Sequence, residues 1–498
     1  MDAIKELVKI VNRKRLSTID VFDKTFINAE SQNLYYKLYE AIEEGKITDD
    51  VSAAQYLYNS DEKDAKYRKL KSRFRAKLLK SILLFDIPDV SNSESVRAYY
   101  ECLTHNQTIE IIIKLTGTTK LVAELVKDNY AKALKYNFYD ILKNYSYYLI
   151  TYYSLKGDKK SMQEEEYRYV KFVDLATREQ YAKYLYMKVA VEFSRPKPIT
   201  TELMAEVKEN LNRFYDFKKD VDNPEIDFYY HYMDFLYLTY TNQLEQLLKI
   251  CKAANKLMDD NPAVVTNTRR FAVLFYELSS YLHMRRYQDG VAVLSKFDAL
   301  TLPETNINWY LLKEKEFLLY FQMKDIPKAY EVFESVMTNK TFKRQLVQIT
   351  EKWKIFQAYL VFVDNYINNG DYKFSLPKFL NEVPHNSKDK SGLNFAIRMI
   401  ELLFNVARKD YNLIFSKMDA LRIYRTRYLN DNTYKRNHLL LSILLRAEKT
   451  GFNSKEMLNA DWPEIDALRK FRGNIVADWE IVPFEEIWDM FAALTHRE

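Results

Sequence analysis

Residues 320–333 read YFQMKDIPKAYEVF, and this stretch contains the pattern on which the fold depends. One apolar run ends at a charged corner around Lys324, and a second apolar run begins at Ile326. The apolar positions on both sides recur at the spacing of amphipathic helices. The stretch therefore predicts two helices joined by a short corner.

Similar corners recur along the chain. Glycine stands at four of them: Gly117, Gly157, Gly370 and Gly451. In NNGDYKF (368–374), Gly370 is predicted to take the left-handed conformation that ends a helix. Charged residues replace glycine in HMRRYQDGV (283–291) and ARKDYNLIF (407–415).

A marker placed two residues after each corner measures the repeat. The markers are Thr119, Lys159, Leu203, Leu244, Tyr287, Ile326, Tyr372, Tyr411 and Asn453. They lie about 42 residues apart, which is enough for two helices of four or five turns and two corners. The prediction is an all-α chain, an α-solenoid of antiparallel helix pairs with an N-terminal helical module.

The composition supports this fold class. Glycine occurs 8 times and proline 11 times in 498 residues, so few residues are available for hairpins or glycine-rich loops. Hydrophobic residues make up 47% and charged residues 29%, as in folded globular proteins. Tyrosine is unusually frequent, with 40 copies, and two uses remain open: helix packing through the rings, or an amphipathic binding face.

One repeat resembles the tetratricopeptide family. Tyr320, Ile326, Ala329 and Phe333 match an aromatic late in the first helix, a residue after the corner, a small residue and an aromatic. The resemblance covers about residues 100–460, although the period exceeds the family's roughly 34 residues. It implies a superhelix whose groove accepts a peptide, helix or partner domain, and HEAT-type helix pairs are the structural alternative.

Three domains are expected: an N-terminal basic three-helix module in residues 1–90, tetratricopeptide-like repeats in residues 91–460, and a C-terminal capping segment in residues 461–498. Trp462, Trp479 and Trp488 crowd into the last segment. Such a segment is expected to seal the final helix pair of a repeat array.

The sharpest local feature is a basic stretch. Eight cations occur within fifteen residues without an acidic residue: Lys66, Arg68, Lys69, Lys71, Arg73, Arg75, Lys77 and Lys80. Apolar residues from Tyr67 to Phe85 recur every three or four positions, which predicts a helix with one packed stripe. Two shorter helices around 34–44 and 51–58 precede it, so the arrangement resembles a helix-turn-helix.

Three interpretations of the basic helix remain open. It could be a solvated face, a phosphate-binding surface for nucleic acid, or a surface for an acidic protein or membrane. The net charge of +6 is small for this length and does not by itself indicate a nucleic-acid-binding protein.

The sequence does not indicate catalysis, a cofactor or a metal site. No two of the six histidines have the i, i+4 spacing of helical ligands, and GxxxxGK[ST], GxGxxG and GxSxG patterns do not occur. His231 and His283 are interpreted as packing histidines. Cys102 and Cys251 lack the spacing of a metal site, and no stretch resembles a signal peptide or membrane span, so a cytoplasmic location is expected.

The expected function is a non-enzymatic scaffold or adaptor that binds a protein partner through its solenoid. The alternative is a nucleic-acid-associated regulator that uses the basic N-terminal module. Self-association into a homo-oligomer is compatible with either hypothesis.

Overall fold

The computed structural model describes residues 1–13, 29–82, 94–193, 201–218, 221–300, 302–383, 393–429, 434–452, 456–457, 462–471 and 480–496. Within these residues the regular elements are helices, with no strand among them, and the all-helical prediction is confirmed. The chain divides into two compact units, Met1–Ala176 and Thr177–Glu498.

The described residues of unit 1 form seven complete helices and the first part of an eighth. They are α1 (Asp2–Arg13), α2 (Ala29–Glu43), α3 (Asp50–Tyr58), α4 (Ala65–Ile82), α5 (Glu94–Thr116), α6 (Lys120–Lys135), α7 (Tyr139–Lys156) and α8 (Lys159–Phe193). Helix α1 packs against α2 and α4, and α3 contacts both α2 and α4. Helices α5, α6 and α7 pack on one another around a second apolar core.

The residues of unit 2 that the structure describes form the remainder of α8 and fourteen further α-helices. They are α9 (Thr201–Lys218), α10 (Pro224–Tyr240), α11 (Leu244–Asp260), α12 (Asn267–His283), α13 (Tyr287–Leu294), α14 (Ile307–Gln322), α15 (Ile326–Met337), α16 (Val347–Asn368), α17 (Leu376–Glu382), α18 (Leu393–Ala407), α19 (Tyr411–Tyr428), α20 (Lys435–Lys449), α21 (Pro463–Lys470) and α22 (Phe484–His496). From α9 to α22 each helix contacts the next one in the sequence. The largest apolar core of the described residues lies here and includes residues between Phe271 and Leu494.

Six corners of unit 2 share a left-handed residue at the end of a helix. At the Lys324 corner, the N–H of Lys324 donates to the carbonyl of Phe321 at 3.1 Å and the N–H of Asp325 donates to that of Tyr320 at 3.0 Å. This is the Schellman arrangement, in which a left-handed residue ends the helix. Left-handed residues occupy six such corners: Asn242, Arg285, Lys324, Asn369, Lys409 and Gly451.

These six residues lie 43, 39, 45, 40 and 42 positions apart. Helices α11, α13, α15 and α19 each begin two residues after one of them, at the predicted markers Leu244, Tyr287, Ile326 and Tyr411. The charged corners around Arg285, Lys324 and Lys409 are therefore confirmed.

The prediction for Gly370 is wrong by one residue. Asn369 is left-handed, with φ of 51°, and the N–H of Gly370 donates to the carbonyl of Asn365 at 2.8 Å. Asparagine tolerates this conformation because its short polar side chain can bond locally. Gly370 is required for a different reason, since a Cβ atom there would lie 2.3 Å from Oδ1 of Asn365.

The marker Leu203 needs correction, and the marker Asn453 cannot be compared with the structure. Leu203 does not follow a corner, because Thr201 is already the first residue of α9. Asn453 lies outside the described residues. In unit 1, Gly117 and Gly157 are left-handed as predicted, but Asn137 forms a further corner halfway between them, with φ of 55°.

Residues 480–486 form a polar connection that the sequence analysis did not predict, here called the acidic clasp. Glu480 receives two hydrogen bonds from the guanidinium of Arg436, at 2.5 and 3.0 Å. Glu485 receives one from Arg436 at 2.8 Å and one from Arg285 at 2.7 Å. The side-chain amide of Gln322 donates to the carbonyl of Glu480 at 3.1 Å. The clasp thus joins the corner after α12, the end of α14 and the start of α20.

Helix α22, whose first turn is part of the acidic clasp, contacts α18, α20 and α21. Its apolar residues are buried, and Trp488 lies 5.6 Å from Trp462 between ring centres. Trp479 lies outside the described residues. The C-terminal helix therefore packs against the last helices of unit 2, while the clasp reaches helices much earlier in the sequence. Among the described residues, no helix is both long enough and apolar enough to cross a membrane.

The corner motif leads to a first prediction, for Lys409→Gly. Lys409 is exposed and has φ of 59°, a conformation that costs a residue with a Cβ atom about 1–2 kcal/mol. Glycine removes that cost but loses more backbone entropy, so we expect a net stabilisation of about 0.5–1 kcal/mol. Urea unfolding measures the change. Ala420→Gly in the exposed middle of α19 is the matched control and should destabilise by about 1 kcal/mol. A loss of stability in both variants would contradict the prediction.

Candidate functional sites: a basic ridge and an apolar ridge

Helix α4 carries all eight cations that the sequence analysis singled out. Its predicted apolar stripe is buried at Tyr67, Leu70, Phe74 and Leu78. Phe74 stacks on Tyr35 of α2 with ring centres 6.2 Å apart. Phe85, which the analysis added to the stripe, lies outside the described residues. The stripe fixes which side of α4 faces the core of the N-terminal helices.

Two aspartates position this helix. The carboxylate of Asp64 accepts hydrogen bonds from the N–H groups of Lys66, at 2.6 Å, and Tyr67, at 3.1 Å, and so caps its first turn. Asp50 of α3 accepts a hydrogen bond from the Tyr67 hydroxyl and lies within ion-pair distance of the Lys71 ammonium, both at 2.6 Å. Burial alone would raise the pKa of Asp50, but its bonds to Lys71 and Tyr67 lower that pKa to about 2.

The eight cations differ in their surroundings. Lys71 is half-buried in its ion pair with Asp50, and Lys77 is half-buried over the ring of Tyr35, 5.5 Å from its centre. The other six are exposed: Lys66, Arg68, Lys69, Arg73, Arg75 and Lys80. None of these six is within 4 Å of a carboxylate in the part of the chain that the structure describes.

Five of the cations form a single row along the helix. Lys66, Lys69, Arg73, Lys77 and Lys80 follow one another at steps of three or four residues, which places them within one narrow sector at 3.6 residues per turn. We call this row the basic ridge. Arg68 and Arg75 lie on the other side of the exposed surface. The structure therefore brings together residues that the sequence predicted only as a basic segment.

The neighbouring helices agree only partly with the sequence analysis. Helices α2 and α3 correspond to the two predicted short helices, and Asn59 ends α3 in the left-handed conformation. Helix α1, which also packs on α4, was not predicted. Its mean hydropathy is low because charged residues alternate with the buried Ile4 and Val8. Their i, i+4 spacing was the signal that could have revealed it.

A second surface lies on the part of α8 that belongs to unit 2. Tyr181, Tyr184, Met187 and Val191 have exposed fractions of 45%, 58%, 61% and 44%. We call these four residues the apolar ridge. The opposite side of the same helix is also apolar, and there Ala182, Leu185 and Val189 are buried against α9 and α10.

The apolar ridge continues onto α9. The ring of Tyr181 meets Phe217 of α9 edge to face, with centres 5.1 Å apart. Contiguous apolar surface of this kind marks interaction sites on soluble proteins more often than single exposed residues do. The sequence analysis missed this surface because apolar periodicity identifies helix faces but not which face remains exposed.

Most other tyrosines pack within the fold. The hydroxyl of Tyr359 donates to the carbonyl of Ala396 at 2.9 Å, and that of Tyr145 donates to the carbonyl of Cys102 at 3.2 Å. Tyr281 and Tyr320, at the ends of first helices, lie beneath Arg286, the residue before α13, and Lys328 of α15, at 4.9 and 5.1 Å. These rings connect the two helices of a pair.

His231 and His283 lie within the helical packing. Burial lowers the pKa of His231 on α10 to about 4, so its ring is neutral at pH 7. His283 is half-buried at the end of α12. Over the described residues no three His, Cys, Asp or Glu side chains are placed to share a metal ion. Comparisons with protein-family models, curated proteins and solved structures found no match to this chain.

Proposed function

We propose that this protein is a non-enzymatic interaction scaffold, in which the helix pairs of unit 2 form an α-solenoid and the apolar ridge docks a protein partner. The regular corners support the solenoid, since six left-handed residues recur at intervals of 39 to 45 positions. The contacts between consecutive helices from α9 to α22 agree with it. In such arrays each repeat packs mainly on its neighbours, so a long surface is available for binding.

The tetratricopeptide-like character belongs to the same proposal. In the best-matching pair, Ala329 is fully buried beside Ile326 and Phe333, where a small residue allows two helices to approach closely. Tyr320 packs within the pair and is not assigned to the partner surface.

The apolar ridge is the observation that carries the scaffold function. A helix with apolar residues on two opposite faces buries one face in its own fold and exposes the other to water. Exposing four large apolar side chains in a row is unfavourable unless a partner covers them. Tyrosine and methionine are enriched at protein interfaces, and tyrosine is a frequent hot-spot residue.

The test uses the full chain as bait in an extract of its source cells, followed by measurement of affinity for each captured protein. We expect Tyr184→Ser/Met187→Ser to weaken binding of a specific partner roughly 30-fold, because truncating a hot-spot residue costs about 2 kcal/mol. Leu346→Ser/Val347→Ser is the matched control, since both residues are exposed in unit 2 away from the ridge. Equal binding by all three proteins would refute the role of the ridge.

Light scattering of the same proteins tests whether the apolar ridge binds a second copy of this chain instead of another protein. A wild-type dimer that becomes a monomer only in the Tyr184→Ser/Met187→Ser variant would show that the ridge joins two copies of this chain. In that case the scaffold function would need another surface.

A further inference from the structure

The six exposed cations of α4 have no carboxylate within 4 Å among the residues that the structure describes. The sequence of Ala65–Ile82 contains no Asp or Glu. The nearest acidic residue, Asp64, is already bound to two backbone N–H groups, which lower the pKa of its carboxyl group. Asp50 lies within ion-pair distance of Lys71, which is not part of the basic ridge. Lys66, Lys69, Arg73 and Lys80 of the ridge therefore present a concentrated positive potential to solvent.

We propose that the basic ridge of α4 binds the phosphate backbone of double-stranded nucleic acid. Lys66 and Lys80 are fourteen residues apart, so the row is about 21 Å long at a rise of 1.5 Å per residue. Duplex DNA carries one negative charge per roughly 1.7 Å of its axis, which gives about twelve phosphates over that length. A straight row of cations can contact several of them at once.

The ridge is also held in place before any ligand arrives. Tyr67 and Lys71 anchor α4 to Asp50, and the ammonium group of Lys77 lies over the ring of Tyr35. A prearranged helix loses little conformational entropy when it binds, so more of the electrostatic attraction appears as affinity.

Two other ligands fit the ridge less well. An amphipathic helix that inserts into a membrane needs an exposed apolar face, but the apolar stripe of α4 is buried, and among its described side chains only Leu79 is a large exposed apolar residue. Protein interfaces are depleted in lysine and are built around apolar or aromatic anchors, which the ridge does not offer. Lysine and arginine are the side chains that neutralise phosphates.

The proposal goes beyond the scaffold function and does not depend on it, because the basic ridge belongs to unit 1 and the apolar ridge to unit 2. The test measures binding of the full chain to a fluorescent, random-sequence duplex by anisotropy. A duplex of about 24 base pairs is long enough for the ridge, and salt is varied between about 50 and 200 mM. With four or five phosphates contacted, the logarithm of the binding constant should fall with the logarithm of salt with a slope of about −4.

The variant Lys66→Gln/Lys69→Gln/Arg73→Gln should weaken binding roughly 100-fold at about 100 mM salt and reduce the slope by about 3. The matched control is Lys249→Gln/Lys252→Gln/Lys256→Gln on α11. Those three lysines are exposed, have the same i, i+3, i+7 spacing and change the net charge equally, so binding should be unchanged. Circular dichroism shows whether each variant is folded.

Several results would overturn the proposal. The first is undetectable duplex binding by the wild type at about 50 mM salt, where phosphate contacts are strongest. The second is an equal loss in the α11 control, which would indicate attraction by net charge alone. Parallel measurements use poly-glutamate and vesicles containing phosphatidylserine. Ridge-dependent binding to either that is tighter than binding to the duplex would assign the ridge to an acidic protein or to a membrane.

Discussion

Replacing Arg436 with methionine is expected to lower the free energy of unfolding by about 3–5 kcal/mol at pH 7, because it leaves two carboxylates without their main cation in a buried site. Arg436 is only 7% exposed and binds both Glu480 and Glu485. Its guanidinium also donates to the carbonyl of Leu468 at 2.8 Å. Methionine fills much of the same space, so the loss reports the missing charge and hydrogen bonds. Urea unfolding followed by circular dichroism measures it.

An exposed ion pair in the same region provides the control. Arg469 and Asp489 are 2.9 Å apart, and both side chains are about half exposed. Arg469→Met should therefore change the free energy of unfolding by no more than about 1 kcal/mol. Similar losses in the two variants would mean that the acidic clasp is no stronger than a surface ion pair.

The difference in the free energy of unfolding between wild type and Arg436→Met also depends on pH. Burial alone would raise the pKa of Glu485, but the bond from Arg285 and the charge of Arg436 lower it to about 2. A carboxyl pKa that is lower in the folded state stabilises the protein above the unfolded value of about 4.3, and this stabilisation disappears as pH falls towards 2. The free energies of unfolding of wild type and Arg436→Met should therefore become more similar as pH falls from about 5 to about 2.

A loss of similar size is expected for Trp353→Ala, about 3–5 kcal/mol. Trp353 of α16 is almost fully buried, and its ring centre lies 5.6 Å from Phe317, 6.2 Å from Phe333 and 5.2 Å from Phe356. Alanine would leave a cavity among α14, α15 and α16 that these rigid rings cannot fill. Calorimetry and urea unfolding both measure the effect.

Ile367→Ala is the control on the same helix. Ile367 is 46% exposed, so its truncation should stay within about 0.5 kcal/mol. Trp353→Phe should recover part of the loss, because most of the ring volume is retained. If alanine at Trp353 cost no more than alanine at Ile367, the packing of the aromatic rings would not contribute to stability as described.

The corners of unit 2 could be predicted from the sequence because their chemistry is local. A helix must end within a few residues, and Gly451, Arg285, Lys324 and Lys409 all stand where an apolar run stops. Gly370 was assigned wrongly because glycine has two uses, a left-handed conformation and close approach of neighbouring atoms, and sequence cannot distinguish them. Asn137 was not predicted, although asparagine is a residue that can end a helix in the left-handed conformation.

The candidate sites also differ in whether they depend on local sequence or on contacts between distant residues. The basic ridge was largely foreseeable, since all of its cations and the buried stripe beneath them lie on one helix. The apolar ridge was not, because exposure depends on which face of α8 its neighbours cover. The acidic clasp joins Gln322 to Glu480, 158 positions apart, and no local pattern can report such a contact.

The acidic clasp also sets the order in which the chain can fold. From α9 to α22 most helices can find a sequence neighbour as soon as it has been synthesised, and contacts of this kind form quickly. Arg285 and Gln322 cannot form these contacts until Glu485 and Glu480 have been synthesised. At a synthesis rate of about 5–20 residues per second, the 158 residues between Gln322 and Glu480 take roughly 8–30 s to appear. During that interval the corner after α12 and the end of α14 stand without their acidic partners on every newly made molecule.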